Sequence, residues 1–193
     1  QQPDVSGEPF PPMGAGGGLE AGSMLEGAFL LTESINLPEM ISLLGCSAHL
    51  CNTYTWEACQ ACWPAEQWER FGAADCTLLE VHISHTLLPN GELRRVESVI
   101  TDENPTPVPL RTDEFALDGS PCTSTVETGD SATVTSTMVD PNCVQQWYVW
   151  GGVRGSVYMS KQWLATREGL RCDMTISCGP AKLSGVRLFY RRL

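Results

Sequence analysis

The sequence predicts a mainly β fold, an antiparallel up-and-down barrel of about ten strands with one or two short helices after the first. Turn-forming residues recur at Asp118-Gly119, Thr128-Gly129-Asp130, Asp140-Pro141-Asn142, Gly151-Gly152, Glu168-Gly169 and Cys178-Gly179-Pro180. They come about once every ten residues, the spacing of strands joined by hairpins. Helix-period sequence is almost confined to one short run near the N-terminal end. At 193 residues the chain is long enough for one sizeable core.

Residues 1–24 hold Pro3, Pro9, Pro11, Pro12 and the Gly14, Gly16, Gly17, Gly18 cluster, which buries little and reads as an extended arm. On composition it is a loose tail; Phe10 and Met13 are the side chains able to hold it on the barrel or a partner. From Leu25 to Ser34 a strand is expected, followed by a helix that Asn36 caps, Pro38 opens and Gly45 stops. Met40, Ile41, Leu43 and Leu44 form its apolar face. A cysteine-rich insert at about 46–63 follows, with room for a second short helix near Glu57–Cys62. Cys76–Leu88 then reads as a long strand, Pro89-Asn90-Gly91-Glu92 as a tight turn and Leu93–Thr101 as the return strand. Residues 25–193 are thus expected to form one barrel domain.

With 12 Lys and Arg against 23 Asp and Glu the net charge is -11, which repels phosphate backbones and disfavours nucleic acid as a partner. No window approaches the roughly 18 apolar residues of a membrane-spanning helix. Nine cysteines point to an oxidising compartment and make Cys46, Cys51, Cys59, Cys62, Cys76, Cys122, Cys143, Cys172 and Cys178 all disulfide candidates. The odd count leaves one to be free or bonded to another chain. Beginning at Gln1 without an initiator Met, the chain is expected to be secreted or lumenal with its signal peptide removed.

Four stretches resemble the calycins, and more closely the fatty-acid-binding proteins and their retinoid-binding relatives. Leu25 to Asn36, followed by Met40-Ile41-Ser42-Leu43-Leu44-Gly45, resembles that family's opening "G-x-W-x-L-x-x-S-x-N" strand and the helix that lids the barrel. Thr112 to Gly119 resembles its mid-chain "G-x-x-F-x-x" corner, and Trp147-Tyr148-Val149-Trp150-Gly151-Gly152 its late "x-W-D-G" hairpin. Gly185 to Arg191 resembles its last strand, where an "R-x-Y" motif helps hold a ligand carboxylate. Phe29 stands in place of the signature Trp, Phe189 in place of the Tyr, and 126–143 reads as holding extra loop. The resemblance implies a barrel that carries a fatty acid, retinoid or pigment, with no cofactor beyond such a bound lipid.

Strand parity decides which side chains see the interior. If Arg187 faces in, so do Phe189 and Arg191, and a guanidinium is available to clamp a carboxylate. In the opposite register Val186, Leu188 and Tyr190 line the interior. Arg187 or Arg191 is alternatively a plug stacked on Phe29. Met159, Lys161 and Trp163 share one face, so Lys161 is a second candidate cation or else reaches a rim. Met40 on the helix is placed either to gate the interior or simply to pack. The expected ligand-binding set is Arg187, Phe189, Arg191, Lys161, Met159, Trp163, Phe29 and Met40. Cys59-x-x-Cys62 with Cys46, Cys51 and His49 has a zinc-site look, but its spacing matches no defined zinc module, so disulfides and no metal are expected. His82 and His85 sit on opposite strand faces and cannot share a metal; each is expected to be hydrogen-bonded or exposed. No nucleophile elbow, metalloprotease motif or phosphate loop occurs, so a non-enzyme is expected. The second reading is a filled barrel serving as a structural subunit of an extracellular or lumenal assembly, with the arm and an unpaired cysteine making protein contacts.

Overall fold

A computed structural model describes residues 23–44, 78–102, 104–126, 130–152 and 155–193. They form β1 (Gly27–Ile35), α1 (Leu37–Leu43), β2 (Leu78–Leu87), β3 (Glu92–Thr101), β4 (Val108–Ala116), β5 (Asp118–Thr125), β6 (Ser131–Asp140), β7 (Cys143–Gly152), β8 (Gly155–Ala165), β9 (Gly169–Cys178) and β10 (Ala181–Arg192). Residues 1–22, the insert at 46–63 with its expected second helix, and Cys76 lie outside the described residues.

The ten strands make one antiparallel sheet in the order β4-β3-β2-β1-β10-β9-β8-β7-β6-β5, so the first strand pairs with the last and the sheet curls into a nearly closed barrel. Closure is completed by side chains: Arg111 Nη1 on β4 donates to the Thr125 carbonyl on β5 at 2.6 Å, and Ser124 Oγ donates to Asp113 at 2.7 Å. Alternation along each strand sends every second residue into the core, as in Val157, Met159, Lys161, Trp163 and Ala165 on β8. The segment 130–152 is an ordinary β6–β7 hairpin, so the extra loop expected within 126–143 is absent from its described part; Thr133 to Asp140 pair along β7 as barrel strands do.

Two devices at the strand ends explain local sequence. Gly27 has φ of 136°, and a Cβ there would lie 2.6 Å from an Arg192 guanidinium nitrogen. That guanidinium caps the ring of Phe29 at 4.7 Å and donates to the Glu26 carbonyl at 2.7 Å and to the Met24 carbonyl. The plug on Phe29 therefore exists, but it is Arg192, not Arg187 or Arg191. Arg192→Ala is expected to lower unfolding free energy by about 2 kcal/mol, the sum of lost charge-assisted bonds and ring stacking, in a urea titration. Asn36 does not cap α1: it sits at φ 56° with no side-chain cap bond, and its Nδ2 donates to the Gly185 carbonyl on β10 at 3.2 Å. α1 thus packs on β10, with Leu37, Met40 and Leu44 joined to the core at that end of the barrel.

Candidate functional site

Among the described residues eight polar or charged side chains are buried, His85, Arg95, Thr101, Asp113, Ser124, Ser136, Gln146 and Lys161. Along one row of paired residues, His85 on β2 faces Arg95 on β3, which faces Asp113 on β4. Along another, Ser136, Gln146, Lys161 and Met174 pair across β6 to β9. All lie at inward parity, so the sequence pattern itself places them there. Arg95 is 2% exposed. Its Nη2 donates to Asp113 Oδ2 at 2.9 Å and to the Tyr148 hydroxyl at 3.4 Å, and its Nη1 to Gln146 Oε1 at 3.4 Å. The guanidinium also lies over the rings of Phe115 at 4.8 Å and Trp163 at 5.6 Å. Gln146 Oε1 is a hub that accepts from Trp163 Nε1 at 2.8 Å and Tyr148 at 3.0 Å, while its Nε2 donates to Ser136 at 2.9 Å.

Asp113 is held from three sides, by Arg95, by Ser124 Oγ and by Arg111 Nε at 3.2 Å. Burial alone would raise its carboxyl, but Arg95, Arg111 and Ser124 together hold it below the usual aspartate value. Arg111 is shared with Glu97 at 2.7 Å. Lys161 is buried with its ammonium 4.9 Å from the Tyr148 ring centroid. His85 is 2% exposed and stands edge-on to Phe29 and Trp163, with centroids 6.0 and 5.5 Å away. Burial first, and the Arg95 charge second, push its pKa down to about 3, so it is neutral at ordinary pH. The Leu25 backbone pulls the other way, but weakly: neither ring nitrogen has a partner at hydrogen-bond distance and angle.

The belt divides the interior. On its far side from α1 lie Leu93, Phe115 and Trp163; between it and α1 the apolar Val99, Val134, Met159, Ile176 and Val186 are accompanied by the Arg111–Glu97 pair and by buried Thr101 and Ser124. A buried polar belt next to mostly apolar inward residues has the order needed to orient an amphiphile with its head group at the belt and its tail toward the helix.

Of the residues expected from sequence, Phe29, Met40, Met159, Lys161 and Trp163 converge on this interior. Arg187, Phe189 and Arg191 do not. The register shifts between Ser184 and Val186 at Gly185, whose φ is 74°. This bulge reverses parity, so Val186, Leu188 and Tyr190 face in. Arg187 has a half-exposed side chain, 3.3 Å from Asp173 on the outer face. Arg187 is therefore no clamp for a buried carboxylate. His85 is neither exposed nor fully hydrogen-bonded, contrary to expectation, whereas His82 lies on the opposite face against Glu80 at 2.5 Å. No disulfide joins any two of Cys122, Cys143, Cys172 and Cys178. Cys122 pairs with Val134 and Val134 with Tyr148, so the register carries Cys122 well away from Cys143. Such a separation is beyond the roughly 7 Å that a bridge tolerates between Cα atoms. The belt residues Arg95, Asp113 and Gln146 escaped sequence reasoning; opposite charges at inward parity on neighbouring strands, Arg95 in Leu93-Arg94-Arg95 and Asp113 in Asp113-Glu114-Phe115, were the available signal.

No protein-family model matches the chain, and no curated protein does. Solved structures do match. A fatty acid binding protein of Schistosoma mansoni in complex with arachidonic acid superposes with a TM-score of 0.56 at 13% identity, covering 89% of this chain and 97% of that one. A secretory abundant heat soluble (SAHS) protein of Ramazzottius varieornatus gives 0.51 at 11% identity, with 90% and 98% covered. Such identities establish shared architecture, and together with the ten-stranded order and the short helix after β1 they show that the chain has the calycin-like barrel fold found in fatty acid binding proteins.

Proposed function

We propose that this protein is a non-enzymatic carrier that holds a small hydrophobic ligand inside its barrel in an extracellular or lumenal space. The observation that carries the reading is the internal order of the barrel, a buried polar belt with a mostly apolar set of inward side chains between it and α1. The architecture shared with a fatty acid binding protein supports it, and the nine cysteines support the oxidising setting. Among the described residues no helix is long and apolar enough to cross a membrane.

The test is binding. Protein recovered from its source is expected to release an apolar small molecule under native mass spectrometry, and stripped protein to bind a neutral environment-sensitive dye such as Nile red. Met159→Trp, which adds bulk among those apolar side chains, is expected to weaken dye binding by about tenfold, whereas Arg187→Ala on the outer face changes it less than about twofold. Folded protein that neither carries nor takes up any apolar molecule overturns the proposal. One observation favours the alternative of a filled scaffold: the belt is bonded largely to itself, and Val139, Val149 and Tyr158 are exposed on the outer face. A covalent multimer on non-reducing electrophoresis supports that alternative.

A further inference from the structure

We propose that the polar belt recognises a hydroxyl head group, that of a long-chain or polycyclic alcohol, and discriminates against a carboxylate. This rests on the carrier reading.

A buried carboxylate needs a buried cation whose charge is not already balanced, and the charge of Arg95 is balanced by Asp113. Arg95 already faces a carboxylate of the chain, Asp113 at 2.9 Å, and its two terminal nitrogens also reach Gln146 and Tyr148, which leaves only Nε without a partner. Asp113 is anchored in turn by Ser124 at 2.7 Å and Arg111 at 3.2 Å, so it is not readily displaced. A second carboxylate at Arg95 would sit beside the first in a medium of low dielectric, where two like charges disfavour each other strongly. Lys161 is itself engaged, with its ammonium against the Tyr148 ring. β10 turns Leu183, Val186, Leu188 and Tyr190 toward the core, and its Arg192, over the Phe29 ring, is bonded to the Glu26 and Met24 carbonyls.

His85 is the uncharged belt group with capacity to spare. A neutral imidazole carries one N–H donor and one bare nitrogen acceptor, and in His85 both are buried without a full hydrogen bond. The ring N–H is turned toward the Leu25 backbone, so the nitrogen left for a ligand is the bare acceptor; a hydroxyl can donate to it, whereas a carboxylate has no proton to give.

The experiment is displacement of Nile red from the stripped full-length protein by hexadecanol and by hexadecanoate at neutral pH. Hexadecanol is expected to bind about tenfold tighter or more, the effect of one buried neutral hydrogen-bonding group. His85→Phe should erase that preference while Nile red still binds, and Asp113→Asn should strengthen hexadecanoate specifically, because Arg95 is then released. Equal or tighter binding of hexadecanoate by the wild-type protein overturns the inference and leaves the carrier reading standing. Displacement by neither compound from protein that binds Nile red has the same meaning. Failure to bind Nile red or either compound overturns both. The wild-type comparison decides the matter even if either variant fails to fold.

Discussion

Asp113→Ala is expected to lower the unfolding free energy by about 3–5 kcal/mol, the largest effect of any single substitution considered for this chain. The reason lies in what remains. Arg95, buried among Phe115, Trp163, Tyr148 and Gln146, would keep its charge with no anion at 2.9 Å to balance it. Arg111 would lose one of its two acidic neighbours and keep Glu97. The paired change Arg95→Met with Asp113→Leu removes both charges and fills similar volume, and it should recover most of that loss, because a buried ion pair is worth little against well-packed apolar side chains. Urea unfolding of the two singles and the double gives the coupling directly. A double variant as unstable as the sum of the singles would show that the two groups do not depend on one another.

The second large effect is a dependence on pH. In the unfolded chain His85 takes up a proton near its ordinary value of 6.5, whereas in the fold burial and Arg95 delay that until about pH 3. Between those values the unfolded state holds more protons, so stability rises with pH. The contribution is complete above pH 6.5 and is lost as pH falls toward 3, with a slope of about 1.4 kcal/mol per pH unit. Asp113, whose carboxyl is depressed in the fold, acts in the same direction but only as pH drops through the carboxylate range. Unfolding free energies compared at about pH 6.5 and 5 therefore isolate the histidine. His85→Phe should flatten the profile across that interval, and an unchanged slope in the variant would assign the dependence elsewhere.

The barrel was legible because its signals are local. Pro89-Asn90-Gly91-Glu92 and Asp140-Pro141-Asn142 mark hairpins by the conformations they allow, and strands of about ten residues follow from their spacing. The inward set Val157 to Trp163 came from parity alone. The last strand shows where such reading fails. A single extra residue at Gly185 exchanges the two faces of everything beyond it, so Arg187 goes out and Tyr190 comes in; glycine permits that bulge but does not announce it. Asn36 misled in a related way, since its amide serves a carbonyl on β10, 149 residues away, and not its own helix. The belt was missed because a charged residue in a strand is ordinarily a solvated one, and Arg95 becomes exceptional only when Asp113 is seen across the ladder.

The junction of β4 and β5 has a further consequence. Both strands are sheet edges, and each carries a proline within it, Pro109 and Pro121. Proline offers no amide hydrogen, so a foreign strand finds an interrupted template there and stacking of one sheet onto the next is discouraged. Meanwhile the side-chain bonds from Arg111 and Ser124 can part while every hydrogen-bonded ladder of the meander stays intact. Parting that seam would therefore leave the sheet zipped and expose two edges poorly suited to pairing with a neighbour.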